Sequence, residues 1–304
     1  MRCFKEVRRS NMKTQDVNNT EIVQRTVVNG ILLIVSILCI IPLLLVVSAS
    51  FSDETAISEY GYRLIPKVWS LFAYKYVLSE PKQILQAYGV TALVTSIGTV
   101  ISLLVSSLLA YTLSRQSFVL RKPLSFYVFF TMLFNGGIVP TYILVTQYLH
   151  LKNSIWALII PYIVIPWFVL LLRSYFTQIP ESLIESAKME GAEELRIFFQ
   201  IVIPLSLPAM ATIGLFIILM YWNDWYLALM YVDTPRIYPL QYLLYSIMEN
   251  INAISANPQT MGIALPGQTA RMAIAVLATG PILFAFMFVQ RFFVRGLTVG
   301  AVKG

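Results

Sequence analysis

The sequence predicts an all-α membrane protein with six transmembrane helices, and three observations support this fold class. Of the 304 residues, 58% are hydrophobic and only 12% are charged, whereas soluble domains carry roughly 25% charged residues. The mean hydropathy is +0.72, which excludes a disordered chain, because disorder requires low hydrophobicity and high charge. Six uncharged runs are long enough to cross a hydrocarbon core of about 30 Å as helices of about 20 residues.

The six predicted spans follow one another along most of the chain. They are Thr26 to Ser52, Gln83 to Ser114, Pro123 to Leu151, Asn153 to Leu172, Ile197 to Asn223, and Met272 to Gln290. The first run exceeds the 7–15 apolar residues of a signal-peptide core, so we expect it to be retained. Two shorter apolar stretches, Trp225 to Val232 and Ile237 to Met248, fit an interfacial or cavity-lining helix.

The distribution of basic residues predicts the orientation in a cell membrane. With both termini in the cytoplasm, 15 of the 22 Lys and Arg residues fall on the cytoplasmic side and 7 on the outer side, as the positive-inside rule requires. The positive net charge therefore reflects topology rather than nucleic-acid binding. The expected organisation is a basic cytoplasmic tail at 1–26, a six-span domain at 27–295 with external loops at 53–82 and 224–271, and a cytoplasmic tail at 296–304.

Several function classes are disfavoured by what the sequence lacks. No Gly-Lys dipeptide is present, so there is no G-x-x-x-x-G-K-[ST] phosphate loop. The single histidine, His150, and the two cysteines make a catalytic or metal site unexpected. The predicted spans carry no charge in their interiors, which argues against a secondary transporter. A self-sufficient channel or secondary transporter stays as the alternative to a permease that a partner energises.

Small and helix-breaking residues inside the spans suggest where helices meet or open. Small residues recur every four positions in the second run, at Gly98, Ser102, Ser106 and Ala110. This stripe predicts a close helix–helix seam, within this chain rather than with a second one. Breakers cluster in the third run at Asn135, Gly136, Gly137 and Pro140, and in the fourth at Pro161 and Pro166. They predict either packing kinks or a solute path.

A cytoplasmic loop at 177–208 carries the most specific signal in the chain. Pro180 and Glu181 suit the start of a short helix, and Gly191 suits its end. Five glutamates surround this helix, whereas helices that lie on a membrane are usually rich in Lys and Arg. The loop therefore predicts a rigid knob for the groove of a partner protein.

The same loop resembles the EAA motif of binding-protein-dependent ABC importer permeases, E-A-A-x3-G-x9-I-x-L-P. The matching residues are Glu185, Ser186, Ala187, Gly191, Ile201 and Pro204, with Ser186 in place of alanine and Ile203 in place of leucine. Three further segments resemble the carbohydrate (MalG-like) branch: Ala110-Tyr111 with Arg115, Trp222-Asn223-Asp224, and Arg295 to Gly304. The resemblance covers about residues 27 to 304.

The resemblance implies a type I ABC importer (MetI-like) permease fold and a non-catalytic subunit. The matching loop residues would couple to an ATPase dimer, which binds ATP and Mg while this chain binds no cofactor. The implied partners are a second, homologous permease and an extracytoplasmic solute-binding protein, and the implied substrate is a sugar or oligosaccharide. By the same resemblance, Gly300, Lys303 and Gly304 would contact the ATPase, and Asn257, Pro258, Gln259 and Gly262 would belong to a loop that enters the binding protein.

Polar and aromatic residues near the ends of the spans provide candidate contacts with the solute. Asn135, Thr141, Trp222, Asn223 and Asp224 are the candidates for the translocation path. An interfacial aromatic belt is the alternative use of Trp222 and its aromatic neighbours.

Overall fold

A computed structural model describes residues 2–256 and 266–283, with side chains from residue 25 onwards. Within these residues the α-helices are α1 (Arg2–Ser50), α2 (Glu54–Tyr60), α3 (Phe72–Val77), α4 (Pro81–Ser114), α5 (Arg121–Leu133), α6 (Ile138–Ile143), α7 (Pro166–Phe176), α8 (Glu181–Met189), α9 (Glu194–Ile197), α10 (Ile203–Leu205), α11 (Leu207–Asn223), α12 (Tyr226–Tyr231), α13 (Leu240–Ala256) and α14 (267–283). Short 3₁₀ or π-helical segments lie at Leu144–Tyr148, Ile155–Leu158, Ile160–Tyr162, Phe198–Val202 and Pro235–Ile237. The described part contains no β-strand, which agrees with the predicted all-α class.

Two helices of the described chain are long and apolar enough to cross a membrane unaided, namely Arg25–Ser50 within α1 and α4. Three bent helix pairs bring the number of candidate spans among the described residues to as many as five. The predicted sixth run, Met272 to Gln290, is described only as far as residue 283 and extends outside the described residues. The mostly helical class is therefore confirmed, and it includes helices with the length and composition of membrane spans.

The third predicted span is not one straight helix. The chain bends by 113° between Arg121–Leu133 and Ile138–Tyr148. Gly137 lies at the break with a φ of +90°, a left-handed conformation that only glycine adopts without cost. The break lies within the cluster of helix breakers that the sequence shows in the run from Pro123 to Leu151, but a run of uncharged residues does not predict the angle between its two halves.

The fifth predicted span is also shorter than the uncharged run that predicted it. Glu194–Leu205 and Leu207–Asn223 meet at an angle of 86°, so the straight apolar helix begins at Leu207 instead of Ile197. Pro204 and Pro208 flank the bend, and each removes a backbone donor and obstructs a continuing helix. The residues from Ile197 to Leu205 thus belong to the loop predicted at 177–208 rather than to the straight part of the span.

The described residues form two compact units, one up to Tyr76 together with Pro266–Val276, and one from Val77 to Ala256 together with residues 277–283. In the first unit, the Glu54 carboxylate accepts hydrogen bonds from the backbone N–H of Gln268 at 2.8 Å and of Thr269 at 2.9 Å. These donors belong to the first turn of α14, whose unpaired N–H groups need acceptors. Glu54 therefore caps α14.

In the second unit, α4 packs against α7 and α11 through the predicted stripe of small residues. Ser102, Ser106 and Ala110 are fully buried, and a Cβ atom added at Gly98 would lie 2.6 Å from the Tyr221 ring of α11. The stripe is a packing seam within this chain, as predicted. It makes α4 the helix around which the core of the unit is built.

Candidate functional site

Helix α8 has the boundaries that the loop chemistry predicts. It begins after Pro180, which occupies the N-cap position, and it ends before Gly191, whose φ is +83°. The N–H of Ala192 donates to the carbonyl of Ala187, and the N–H of Gly191 donates to the carbonyl of Lys188, both at 2.9 Å. This pair of bonds is a Schellman motif, which requires a left-handed residue at the Gly191 position.

One face of α8 packs against the rest of the chain, and its other faces are exposed. Ile184 is 2% exposed and Ala187 is half-buried against the core, whereas Glu185 and Ser186 are exposed. Met189 is 89% exposed at the last turn. The helix is thus held to the chain by one edge and presents a mixed apolar and acidic surface outward.

The remaining predicted coupling residues follow the bend rather than the helix itself. Ile201 is half-buried in the π-helical segment Phe198–Val202, and Pro204 is exposed in α10. Phe198 is fully buried in the same segment. The structure therefore brings the whole motif into one continuous loop, with its proline next to the 86° bend.

A polar cluster fixes the far end of this loop to α4. The Glu194 carboxylate lies 2.5 Å from the Lys188 Nζ of α8, and it accepts a 2.5 Å hydrogen bond from the Tyr111 hydroxyl of α4. The Tyr111 ring packs 5.3 Å from the Phe198 ring and 5.0 Å from the Arg115 guanidinium carbon. Burial raises the pKa of Glu194, but the hydrogen bonds from Lys188 and Tyr111 outweigh it and lower the pKa overall.

A cleft of about 480 Å³ opens beside the break in the third span. Both groups of helix breakers line it, because Asn135, Gly136 and Gly137 come from the break and Pro161 from the fourth predicted span. Its walls add aromatic and hydroxyl groups at Thr131, Phe134, Thr141, Tyr162, Tyr226 and Tyr231. None of its lining residues is charged, and its volume lies within the usual range of ligand pockets, about 300–1,000 Å³.

Asp224 supports the wall of this cleft from behind. Its carboxylate accepts a 3.1 Å hydrogen bond from the Tyr162 hydroxyl and a 3.2 Å bond from the Leu227 backbone N–H. Both donor residues line the cleft. Asp224 is therefore placed to orient the tyrosine rather than to line the cleft itself.

Trp222 and Asn223, predicted with Asp224, contact other groups. The Trp222 indole N–H donates to the Ala278 carbonyl at 3.0 Å. The Asn223 amide donates to the Leu219 carbonyl at 2.8 Å and accepts from Gln241 at 3.4 Å. The structure thus groups Asn135 and Thr141 at the cleft, links Asp224 to it, and separates the other two.

Two predicted sets fall outside the described residues. They are the tail residues Gly300, Lys303 and Gly304, and the external-loop residues Asn257, Pro258, Gln259 and Gly262. Within the described ranges, no three His, Cys, Asp or Glu side chains lie close enough together to bind a metal ion.

Sequence reasoning did not assign a role to Tyr111, Glu194 or Tyr162. In the sequence, Tyr111 stands out only as part of the Ala110-Tyr111 segment, and Glu194 only as one of the five glutamates in and around the helix. Their signal is faint: Tyr111 occupies the last turn of a predicted span, and Glu194 lies three residues after the helix-ending Gly191. Both positions were predicted to lie at the cytoplasmic face, but nothing in the sequence pairs them.

Comparisons with known proteins identify the family. Residues 102–299 match the family of binding-protein-dependent transport system inner membrane components. The chain is 42% identical over 277 residues to the polygalacturonan/rhamnogalacturonan transport system permease protein YtcP of Bacillus subtilis, covering 90% of this chain and 96% of that one. It is 28% identical over 283 residues to the trehalose/maltose transport system permease protein MalG of Thermococcus litoralis, covering 90% and 94%.

A solved structure agrees with this assignment. A chain of a bacterial ABC transporter involved in the import of the acidic polysaccharide alginate matches with a TM-score of 0.73 and 30% identity. The match covers 88% of this chain and 95% of the other. This chain therefore belongs to the family of binding-protein-dependent transport system inner membrane components, and it is a non-catalytic membrane permease of the carbohydrate ABC transport branch.

Proposed function

We propose that this chain is one of two homologous permeases of an ATP-driven oligosaccharide importer. The second permease would complete the translocation path, an ATPase dimer would bind ATP and Mg, and an extracytoplasmic solute-binding protein would deliver the sugar. The single observation that carries this proposal is α8, a short helix with one buried edge and an exposed surface, set in a chain of this permease family.

The exposed surface of α8 is suited to a cleft in the ATPase subunit. The buried Ile184 packs α8 against the core. A displacement of α8 would therefore also move the core residues that it contacts, instead of moving the loop alone. Met189 offers a large apolar contact and Glu185 a charged one, a mixture typical of helix-in-groove binding. We assign ATPase coupling to Glu185, Ser186, Ala187 and Gly191 on this helix, with Ile201 and Pro204 following it.

The cleft at the break is the proposed part of the solute path in this chain. Unpaired backbone groups at membrane depth must face protein or a water-filled cavity, because lipid offers them no hydrogen bonds. Residues 131–141 are exposed in the single chain. In the assembled transporter we therefore expect them to face either a partner protein or a water-filled path. Asn135 and Thr141 would contact sugar hydroxyls, the tyrosine faces would stack on the sugar rings, and Asp224 would hold one of those tyrosines in place.

The proposed topology has six spans, with both termini in the cytoplasm of a cell membrane. The proposed sixth span ends outside the described residues. Gly300, Lys303 and Gly304, to which we assign contacts with the ATPase, also lie outside them. The external loop at 224–271 would meet the binding protein through Asn257, Pro258, Gln259 and Gly262. We also propose that Trp222 and Asn223 lie beside the translocation path, where they contact α14 and α13 respectively.

For the solute, we propose oligosaccharides that carry acidic sugars. The relative with 42% identity is named for polygalacturonan and rhamnogalacturonan, and the solved structure is of a transporter for an acidic polysaccharide. Because the lining of the cleft carries no charge, we assign it the ring faces and hydroxyls of the solute. Recognition of the carboxylates is then left to the binding protein and the second permease.

Reconstitution tests the proposal and separates it from the alternative. Proteoliposomes should contain this chain, the second permease and the ATPase, with the cognate binding protein added. We expect ATP-dependent uptake of oligogalacturonate, and no uptake when the ATPase is omitted. Solute flux through this chain alone, with or without an ion gradient, would instead indicate a self-sufficient channel or secondary transporter.

A further inference from the structure

The Glu194 carboxylate links three helices, α8, α9 and α4, through its side-chain contacts. It belongs to the first turn of α9, bonds through one oxygen to Lys188 of α8, and bonds through the other to Tyr111 of α4. Hydrogen bonds to an ionised carboxylate are short and roughly twice as strong as neutral ones. The residue therefore bridges the proposed coupling helix to the longest internal helix of the unit.

Tyr111 is a rigid end-point for this bridge. It is 5% exposed, and its ring packs against both the Phe198 ring and the Arg115 guanidinium. Arg115 is itself 9% exposed and donates weakly to the Phe176 carbonyl at 3.5 Å. The tyrosine hydroxyl thus has little freedom to follow Glu194 if the loop moves without α4.

The helix that carries Tyr111, α4, is part of the packed core of the unit. α4 contacts α7 and α11, and its serine hydroxyls Ser102 and Ser106 donate to the carbonyls of Tyr162 and Ile163. Tyr162 also lines the cleft. A displacement of α4 therefore reaches the residues next to the proposed solute path through direct contacts.

We propose that Glu194 and Tyr111 are positioning residues for energy coupling, which fix α8 to the cytoplasmic end of α4. Movement imposed on α8 then moves α4 instead of only bending the loop around Gly191. This inference rests on the proposed coupling role of α8 and adds the route by which its movement enters the spans. Lys188 completes the bridge on the side of α8.

The test compares coupling in the complete reconstituted transporter, measured as ATP hydrolysed per solute imported. The variants are Tyr111→Phe, which keeps the packed ring, Glu194→Ala, and the two combined. Matched controls are Glu193→Ala at the neighbouring exposed acid and Tyr148→Phe at a tyrosine that is 75% exposed. Co-purification of the ATPase with each variant verifies assembly.

We expect each single variant to raise the ratio of ATP to solute by about three- to tenfold, the range for loss of a partly exposed charged hydrogen bond. The double variant should be no worse than Glu194→Ala, because both changes remove the same contact. The two controls should keep the ratio of the unmodified protein, and the ATPase should co-purify throughout. A merely structural role would lower the amount of ATPase that co-purifies and would leave the ratio of ATP to solute unchanged.

Met189→Arg on the exposed surface of α8 separates the two levels of the proposal. If it uncouples the transporter while Tyr111→Phe and Glu194→Ala match the controls, the bridge is overturned and the coupling helix stands. If Met189→Arg also matches the controls, the coupling role of α8 itself is overturned. Independent, multiplying effects of Tyr111→Phe and Glu194→Ala would likewise contradict a shared contact.

Discussion

The end of α8 provides a prediction in which backbone strain can be separated from side-chain contact. Gly191 has a φ of +83°, and a Cβ atom added there meets nothing within 4 Å. Gly191→Ala therefore changes the backbone energy without a steric clash inside the chain. Gly191→Asn adds more bulk but tolerates the left-handed conformation better than alanine does.

The size of the effect follows from the conformation. An L-residue in the left-handed region costs roughly 1–2 kcal/mol, which is about a 5- to 30-fold change in an equilibrium constant. The bond that reports this change joins the Ala192 N–H to the Ala187 carbonyl at 2.9 Å. When the cap opens, this amide becomes free to exchange with solvent.

Hydrogen–deuterium exchange of the Ala192 amide in the purified, nucleotide-free transporter measures the cap directly. We expect Gly191→Ala to accelerate exchange by about 5- to 30-fold and Gly191→Asn to recover most of the protection. Gly89→Ala in α4, where an added Cβ also meets nothing within 4 Å, is the control and should not accelerate it. Unchanged exchange in Gly191→Ala, or equal acceleration by alanine and asparagine, would refute the assignment of Gly191 as a conformational cap.

Three further predictions concern packing, capping and surface charge. Gly98→Leu should lower the melting temperature of the purified transporter, because its Cβ would lie 2.6 Å from the Tyr221 ring; an unchanged melting temperature would contradict the seam between α4 and α11. Glu54→Gln should cost about 1 kcal/mol of stability by weakening its bonds to the first turn of α14, such as that to Thr269, as measured by thermal unfolding, and a neutral result would argue against the cap. Lys152→Ala breaks a solvent-exposed ion pair and should leave uptake and melting temperature unchanged, so a large loss would show that this surface pair has a role that its exposure does not indicate.

Local chemistry was readable in the sequence where neighbours along the chain decide the structure. The helix from Pro180 to Gly191 is an example, because proline and glycine act on the backbone within one turn. The seam along α4 was readable for the same reason, since four-residue spacing puts Gly98 and Ala110 on one face of a helix. Both features were predicted and are present.

The sequence does not predict the angles between helices or the contacts between residues that are distant in the chain. The uncharged run that ends at Asn223 indicates only that these residues are compatible with lipid. It therefore cannot distinguish the observed 86° bend beside Pro204 from a smaller kink within one span. Tyr111 and Glu194 lie 83 residues apart in the chain, and their contact exists only because the loop folds back onto α4. The cleft has a partial signal in the helix breakers at Asn135 and Pro161, but nothing in the sequence indicates that they line the same cleft.

Site-directed cross-linking tests the coupling role of α8 most directly. Cysteine is introduced by Met189→Cys in a chain with Cys3→Ser and Cys39→Ser, and the assembled transporter is treated with a short bismaleimide reagent. We predict a cross-link between position 189 and a cysteine in the cleft of the ATPase subunit, and none from Tyr148→Cys at the predicted outer face. Absence of the link at 189 in an assembled, ATP-hydrolysing transporter, or equal linking at 148, would contradict the proposal that α8 is where the energy of ATP enters the permease.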